Sequence, residues 1–352
     1  MGPKYRKNKR PPRRRLHLLP VAALALCGVL IARGGLPAAA PPAGSPVQDV
    51  KVRAYSPEDI AEEDEPLPDD LAAGASVSEA VLPQGGVPKT PANVSPITID
   101  GAGGSYPGSG TVYIKNDTDY AVDIPALLSQ KTNIAISSKE PAVLIVHTHG
   151  SEAYTPDANN WYEPTDTDRT TDTNYNVIRV GDEIDRILNA KGIKTLHATV
   201  INDSPSYNGA YNRTLDVISS VMKENPSIKF VIDVHRDAMI TASGKKYKTV
   251  AQINGRQTAQ LMLVAGTDAG GLRHDNWREN LAFMMKVQDR MNTTYPGIMR
   301  PINIRAARFN EHVTTGSMLL EVGTSGNSLD EALYSASLFA DVLGDMLLQL
   351  QK

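Results

Sequence analysis

Residues 143–154 read VLIVHTHGSEAY. Val143, Leu144, Ile145 and Val146 are four apolar, mostly β-branched residues in succession, the pattern of a short strand buried on both faces inside a parallel sheet. Polar chemistry starts at the next residue. His147, His149 and Glu152 place two imidazoles and a carboxylate within six residues, at the carboxyl end of the strand, where open α/β sheets bind ligands. The stretch thus predicts an α/β fold and the first half of a metal site.

The same alternation extends outward. TVYIKN, from Thr111, reads as an opening strand. Asn174 to Ala190 is helical, with Val177, Val180, Ile184 and Ile187 on one face and Lys191-Gly192 as its stop. Lys194 to His197 is a strand, Tyr207 to Asn225 a helix, and Ile228 to Val234 a buried strand that runs into His235-Arg236-Asp237. After a polar excursion from Thr241 to Arg256 come a strand (Gln260 to Ala265), a helix (Asn276 to Asn292) and two more strands (Ile302 to Arg305, Ser317 to Val322). Ser328 to Leu350 closes the chain as a helix, with Ser328 as cap and Glu331 at the reciprocal capping-box position. Strands alternating with helices predict a mostly parallel sheet with helices on both faces. Residues 111–352 are enough for one such domain.

Toward the amino terminus the chain changes character. Residues 1–15 hold eight Lys and Arg and no acid, and Leu16 to Ala32 is apolar apart from His17 and Pro20. That run is at the short end of the ~17 to 25 residues that span a bilayer, and its basic side is expected to stay cytoplasmic. The reading is a basic cytoplasmic leader (1–15) and a transmembrane anchor (16–32). A signal peptide cleaved at Ala38-Ala39-Ala40 competes with it, and either one exports the remainder. Residues 33–110 are rich in Pro, Ala, Gly, Asp and Glu (SPEDIAEEDEPLPDD, GAGGSYPGSG) and predict a disordered, extended linker.

Residues 1–33 contain nine of the 36 Lys and Arg, which leaves 27 basic against 39 acidic residues beyond them. A net charge of −12 on that part argues against a nucleic-acid partner. Cys27, the only cysteine, lies in the apolar segment, so no disulfide can staple the folded part.

Three strand ends carry candidate site residues: His147, His149 and Glu152 after the first, His235 and Asp237 after the third, and Glu321 within the last. In a parallel block these ends share one edge. Two imidazoles with one carboxylate make a zinc ligand set that leaves a position open for water, which suits hydrolysis. Glu321 interrupts an apolar strand, where an ionised group is costly unless paired or used, and desolvation would raise its pKa toward a useful range for proton transfer. Asp237 is a candidate acceptor that orients an imidazole. The bland readings are a structural histidine at a strand end, Glu152 capping its loop, and Glu321 paired with Arg305 or Arg308. His17, His197, His274 and His312 are read as non-ligands.

Three blocks, VLIVHTHGSEAY, NPSIKFVIDVHRDA and LLEVGTSGNSLDEA, together with the opening TVYIKNDTDY, resemble the stage II sporulation protein P family of exported peptidoglycan hydrolases. That family is similar in turn to the zinc-dependent N-acetylmuramoyl-L-alanine amidases. The resemblance implies a zinc amidase-like catalytic domain over 111–352, with His149, Glu152 and His235 as Zn2+ ligands and Glu321 as catalytic acid/base. His147 stays an alternative to His149, and His147 and Asp237 remain additional candidates. In the amidases the glutamate ligand opens a helix further along, where this chain has Asn174 and Asn176. Also implied are cleavage of the muramoyl–L-alanine amide, an endopeptidase activity on cross-links, and work during engulfment at the mother-cell membrane, facing the intermembrane space. The implied partners are peptidoglycan and stage II sporulation proteins D and M. A stem-peptide metallo-carboxypeptidase or endopeptidase, or a non-catalytic cell-wall binding module, are the competing functions.

Overall fold

In the computed structural model, Val77–Glu79 and residues 93–165 and 168–352 are described. The basic leader, the apolar segment and most of the expected linker lie outside these residues. Among the described residues no helix is long and apolar enough to cross a membrane.

The elements follow in the order β1 (Val77–Glu79), β2 (Val94–Ile99), β3 (Gly108–Ser109), β4 (Val112–Asn116), α1 (Ile124–Ser129), β5 (Val143–Val146), α2 (Val177–Ala190), β6 (Thr195–His197) and α3 (Ala210–Glu224). Then come β7 (Phe230–Asp237), β8 (Lys246–Ile253), β9 (Arg256–Ala259), β10 (Leu261–Gly266), α4 (Trp277–Thr294), β11 (Ile302–Arg305), β12 (Gly316–Thr324) and α5 (Leu329–Leu348). The main sheet has eight strands in the order β3-β4-β11-β10-β12-β7-β5-β6.

Most neighbours in this sheet are parallel, but they form two opposed blocks. β12, β7, β5 and β6 run one way; β4, β11 and β10 run together the other way, meeting the first block at the antiparallel β10–β12 seam. The sheet therefore has a carboxyl edge at each end. β5, β7 and β12, the strands expected to carry the site, share one of them.

Alternation along the strands sorts side chains to the two faces. Val143 and Ile145, Ile232 and Val234, Leu261 and Leu263, and Leu320 and Val322 join α1, α2, α4 and α5 in the main core. Leu144, Val146 and Val231 face α3 through Ile218, and Leu319 with Met262 and Val264 meets Tyr211 of the same helix. Helices do cover both faces, four on one and α3 on the other. The expected capping box of α5 is present, with Ser328 and Glu331 bonded reciprocally.

Two expectations need correction. The polar excursion over 241–256 is largely strand: β8 and β9 form a hairpin in a second sheet of order β1-β2-β8-β9. Also, the disordered linker does not reach 110. VSPITI forms β2, buries Val94, Ile97 and Ile99, and pairs in parallel with β8 from Val94↔Lys246 to Ile97↔Thr249. The Gln260 side chain continues the pairing, accepting from Ile99 N at 2.9 Å and donating to Ile99 O at 3.0 Å. β2 finds its partner about 150 residues away in sequence, and a Pro-containing segment gives no local sign of such pairing.

Candidate active site

β7 is the backbone of the site. Asp233, His235 and Asp237 are spaced by two and so project to the α3 face, while Ile232 and Val234 fill the opposite core. Glu321 of β12 is in register with His235 across the parallel pair and shares its face, since its neighbours Leu320 and Val322 point into the main core. From β5 the chain turns at His147 to Gly150 and brings His149 and Glu152 over the end of β7.

His149 is buried between three rings. It stacks on Tyr207 with centroids 4.3 Å apart, meets Tyr211 edge-on at 5.6 Å, and lies 5.3 Å from the ring of His235 at 80°. Neither of its ring nitrogens has a hydrogen-bond partner, and Asp203 Oδ2 stands 3.9 Å from Nδ1. Burial lowers its pKa to about 4, against the pull of Glu152. His235 has the opposite surroundings. Its Nδ1 is 3.3 Å from Glu152 Oε2, and its Nε2 is 3.1 Å from Asp233 Oδ1 without hydrogen-bond alignment. Burial lowers its pKa, but Asp233 and Glu152 outweigh burial and hold it well above the ordinary imidazole value.

Glu152 is buried, with Oε2 accepting from Arg236 N at 3.1 Å and Oε1 3.7 Å from Arg169 Nη2. Burial pushes its carboxyl up; Arg236 and the two imidazoles pull it further down, below the usual carboxylate range. Its carbonyl accepts from Val177 N at 2.8 Å, so Glu152 stands at the start of α2, which Asn176 caps.

Glu321 has its Oε2 enclosed and without a partner. Burial first, then the Asp237 carboxylate, raises its pKa well above the carboxylate range. Among the site carboxylates it is the one whose surroundings favour the protonated form. It pairs with neither Arg305 nor Arg308 in any hydrogen bond or ion pair of the structure.

His147 is not brought to this group. It is fully buried beneath α2, with Nδ1 2.9 Å from Val234 O and Nε2 2.8 Å from His197 Nε2, so it is corrected from additional ligand to structural residue. Asp237 does not orient an imidazole either: its Oδ2 accepts from Arg300 Nη1 at 2.7 Å. The sequence reading missed Asp233, Asp203, Arg169 and Arg300. Asp233 had a legible signal, a carboxylate inside an apolar strand two residues before a site histidine, which is the argument applied to Glu321. Asp203, which accepts from Ser151 and Arg169, and Arg300 sit in loops with no such pattern.

Among the described residues no three His, Cys, Asp or Glu side chains are gathered as a metal-binding group. The donor chemistry nonetheless fits zinc. His149 offers two buried, unbonded ring nitrogens beside an acidic carboxylate. Two imidazoles held at ~2.1 Å from one tetrahedral ion have ring centres roughly 5 Å apart, and His149 and His235 are 5.3 Å apart.

The family described as Stage II sporulation protein P matches residues 109–344. The Stage II sporulation protein P of Bacillus subtilis (strain 168) is 28% identical over 215 residues, covering 58% of this chain and 50% of the relative; the chain spans about half the length of that curated relative. Among solved structures, similarity is found to N-acetylmuramoyl-L-alanine amidases. The Ami1 amidase of Mycobacterium smegmatis is 12% identical, covers 61% of this chain and 99% of its own, and has a TM-score of 0.37. The AmiC2 amidase of Nostoc punctiforme is 11% identical over 60% and 97%, with a TM-score of 0.34. The CwlD amidase of Clostridioides difficile, solved in complex with the GerS lipoprotein, is 12% identical over 59% and 98%, with a TM-score of 0.35.

Proposed function

The chain belongs to the stage II sporulation protein P family, and from that premise we propose that its folded part is a zinc-dependent peptidoglycan hydrolase of sporulation, an N-acetylmuramoyl-L-alanine amidase. The observation that carries the reading is Glu321: a half-buried carboxylate with one oxygen, Oε2, enclosed and without a partner, and a raised pKa, in register with a buried histidine at the carboxyl edge of a parallel block. A structural ion pair would not leave that oxygen unpaired.

His149, His235 and Glu152 would hold the metal, which when bound polarises the scissile carbonyl and makes an attacking water acidic enough to react near neutrality. Glu321 takes the proton from that water and passes it to the leaving amine nitrogen. Asp233, fixed by Thr148 N at 2.8 Å and Thr148 Oγ1 at 2.5 Å, stands 3.1 Å from the far nitrogen of His235 and orients that ring by its charge. Tyr207, stacked on His149, keeps that ring from turning. Membrane anchoring through residues 16–32, action at the mother-cell membrane during engulfment, the second endopeptidase activity, and association with stage II sporulation proteins D and M belong to the same proposal, through family membership.

Product analysis of purified peptidoglycan treated with the full chain tests the reading. An amidase releases stem peptides with free amino-terminal alanine and leaves the glycan strands intact. Cut cross-links with peptides still on the glycan would favour the endopeptidase, and no released product at all would sink the enzymatic reading.

A further inference from the structure

Five carboxylates crowd the catalytic edge, and four of them are tied down. Glu152 is held by Arg236 N, Asp233 by Thr148, and Asp203 by Ser151 and Arg169. Asp237 accepts from its neighbour Ala238 N and from Arg300 Nη1, both at 2.7 Å. Glu321 Oε2 is without a partner.

Of the four, Asp237 endangers the site most if released. It stands two residues past His235 on the same strand face, and at the β7–β12 pair it lies opposite Thr324, just past Glu321. Its carboxylate is a hard oxygen donor two residues from a metal ligand. What restrains it comes from the other block. Arg300 precedes β11, and the opposed direction of that block puts the amino end of β11 at the catalytic edge. The Arg300 backbone is fixed on both sides, N donating to Leu261 O at 2.8 Å and O accepting from Gln288 Nε2 at 2.8 Å. Its side chain is buried, and it reaches past the seam to β7.

We propose that Arg300 is a positioning residue: by holding the Asp237 carboxylate it keeps that group out of the metal position. The inference rests on the hydrolase reading of the site. It explains why a mixed sheet with opposed blocks suits this chemistry, since only a strand running against β7 delivers a side chain from its amino end to this edge.

The test uses the full chain and three variants, Arg300→Met, Arg300→Lys and the double variant Asp237→Asn/Arg300→Met, each with a melting curve. In Arg300→Met, kcat on peptidoglycan should fall about tenfold or more with KM little changed, the signature of a lost transition-state role. Cobalt(II), substituted for zinc, should show a weaker and shifted visible absorption in Arg300→Met, as an added oxygen donor raises the coordination number. Removing the Asp237 charge as well should restore both the absorption and most of the lost kcat. Arg300→Lys, which keeps the charge without the planar fork, should fall between. If the double variant is as slow as Arg300→Met, or the cobalt spectrum of Arg300→Met superimposes on that of the unaltered chain, Arg300 does not act through Asp237. Absence of hydrolysis by the unaltered chain would instead remove the proposed function, and the cobalt spectra would still decide the role of Arg300.

Discussion

Two pairs of imidazoles stand at opposite edges of the same sheet. His149 and His235 lie at the carboxyl edge of the β5–β7–β12 block, with rings 5.3 Å apart at 80°. His274 and His312 follow β10 and β11 at the other carboxyl edge, with rings 6.5 Å apart at 79°. Their geometry is similar and their company is not. Carboxylates surround the first pair; burial still takes His149 down to about 4, but Asp233 and Glu152 lift His235 far above its ordinary pKa in spite of burial. At the second pair burial prevails, helped by the Arg308 cation, and both rings drop to about 4. A buried histidine is therefore not informative by itself; the charges that share its enclosure decide whether it can bind a cation or only fill space.

The sharpest way to break this comparison is to remove one ring from each pair. His235→Ala should lose bound zinc and activity together, because one of three protein ligands is gone. His274→Ala should keep metal content and kcat and lose only stability. Metal analysis of both purified variants with a turnover assay checks this, and loss of zinc from His274→Ala would show that the two edges are not functionally separate.

Glu321→Gln ranks next. It preserves shape and hydrogen bonding but cannot carry a proton, so kcat should fall by the ~10² to 10⁴-fold typical of general acid–base groups, while zinc content stays unchanged. Full turnover with zinc bound would move the role to another group.

How much of this was legible in the sequence follows from where each signal resides. β5 and the histidines after β5 and β7 were readable because a two-sided buried strand is a continuous apolar run with an abrupt polar end. Glu321 was readable as a charge in such a run, and Asp233 carried the same mark and was overlooked. The second sheet was not readable: β8 opens on Lys246 and Lys248 inside a polar stretch, and β2 contains Pro96 and follows a Pro-, Gly- and Ala-rich stretch. Both depend on pairing across 150 residues, which periodicity within a window cannot show. The same limit hid the reversal at the β10–β12 seam, and with it the place where Arg300 arrives.

Those hidden elements give a stability test. Deleting residues 93–110 removes three buried apolar side chains of β2, each worth about 1.5 to 3 kcal/mol when fully buried, and exposes β8 and Gln260. Unfolding by denaturant should show residues 111–352 less stable than residues 93–352 by roughly 3 kcal/mol or more. Equal midpoints would show that β2 is only a surface annex.

The imidazole pair at the far edge predicts a pH effect of fixed sign. Its folded pKa values, about 4, lie below the ordinary value near 6.5. Between those values the unfolded chain binds more protons than the folded one. Stability is thus fully present above about pH 6.5 and is lost as pH falls toward 4. Since His312 is partly exposed, solvent screening limits the loss to about 1 to 2 kcal/mol per ring. The double variant His274→Asn/His312→Asn should flatten the denaturation midpoint over pH 4 to 6.5; an unchanged slope would place the titration elsewhere.

The smallest expected effect concerns a third pair, which belongs to neither edge's chemistry. His147 donates through Nδ1 to Val234 O, which leaves its Nε2 to accept from His197 Nε2 at 2.8 Å, and His197 Nδ1 faces Asp182 at 3.1 Å. Gly181 of α2 makes the bridge possible: a Cβ there would fall 2.6 Å from both Nε2 atoms. Gly181→Ala should therefore force the rings apart and cost about 1 to 3 kcal/mol, the usual range for overpacking. Zinc content and kcat should stay within a few-fold of the unaltered chain, because His147 lies under α2 while His149 and His235 face α3. Loss of zinc in Gly181→Ala with an unchanged melting temperature would mean that His147 takes part in the metal site after all, and would overturn the separation of the three pairs.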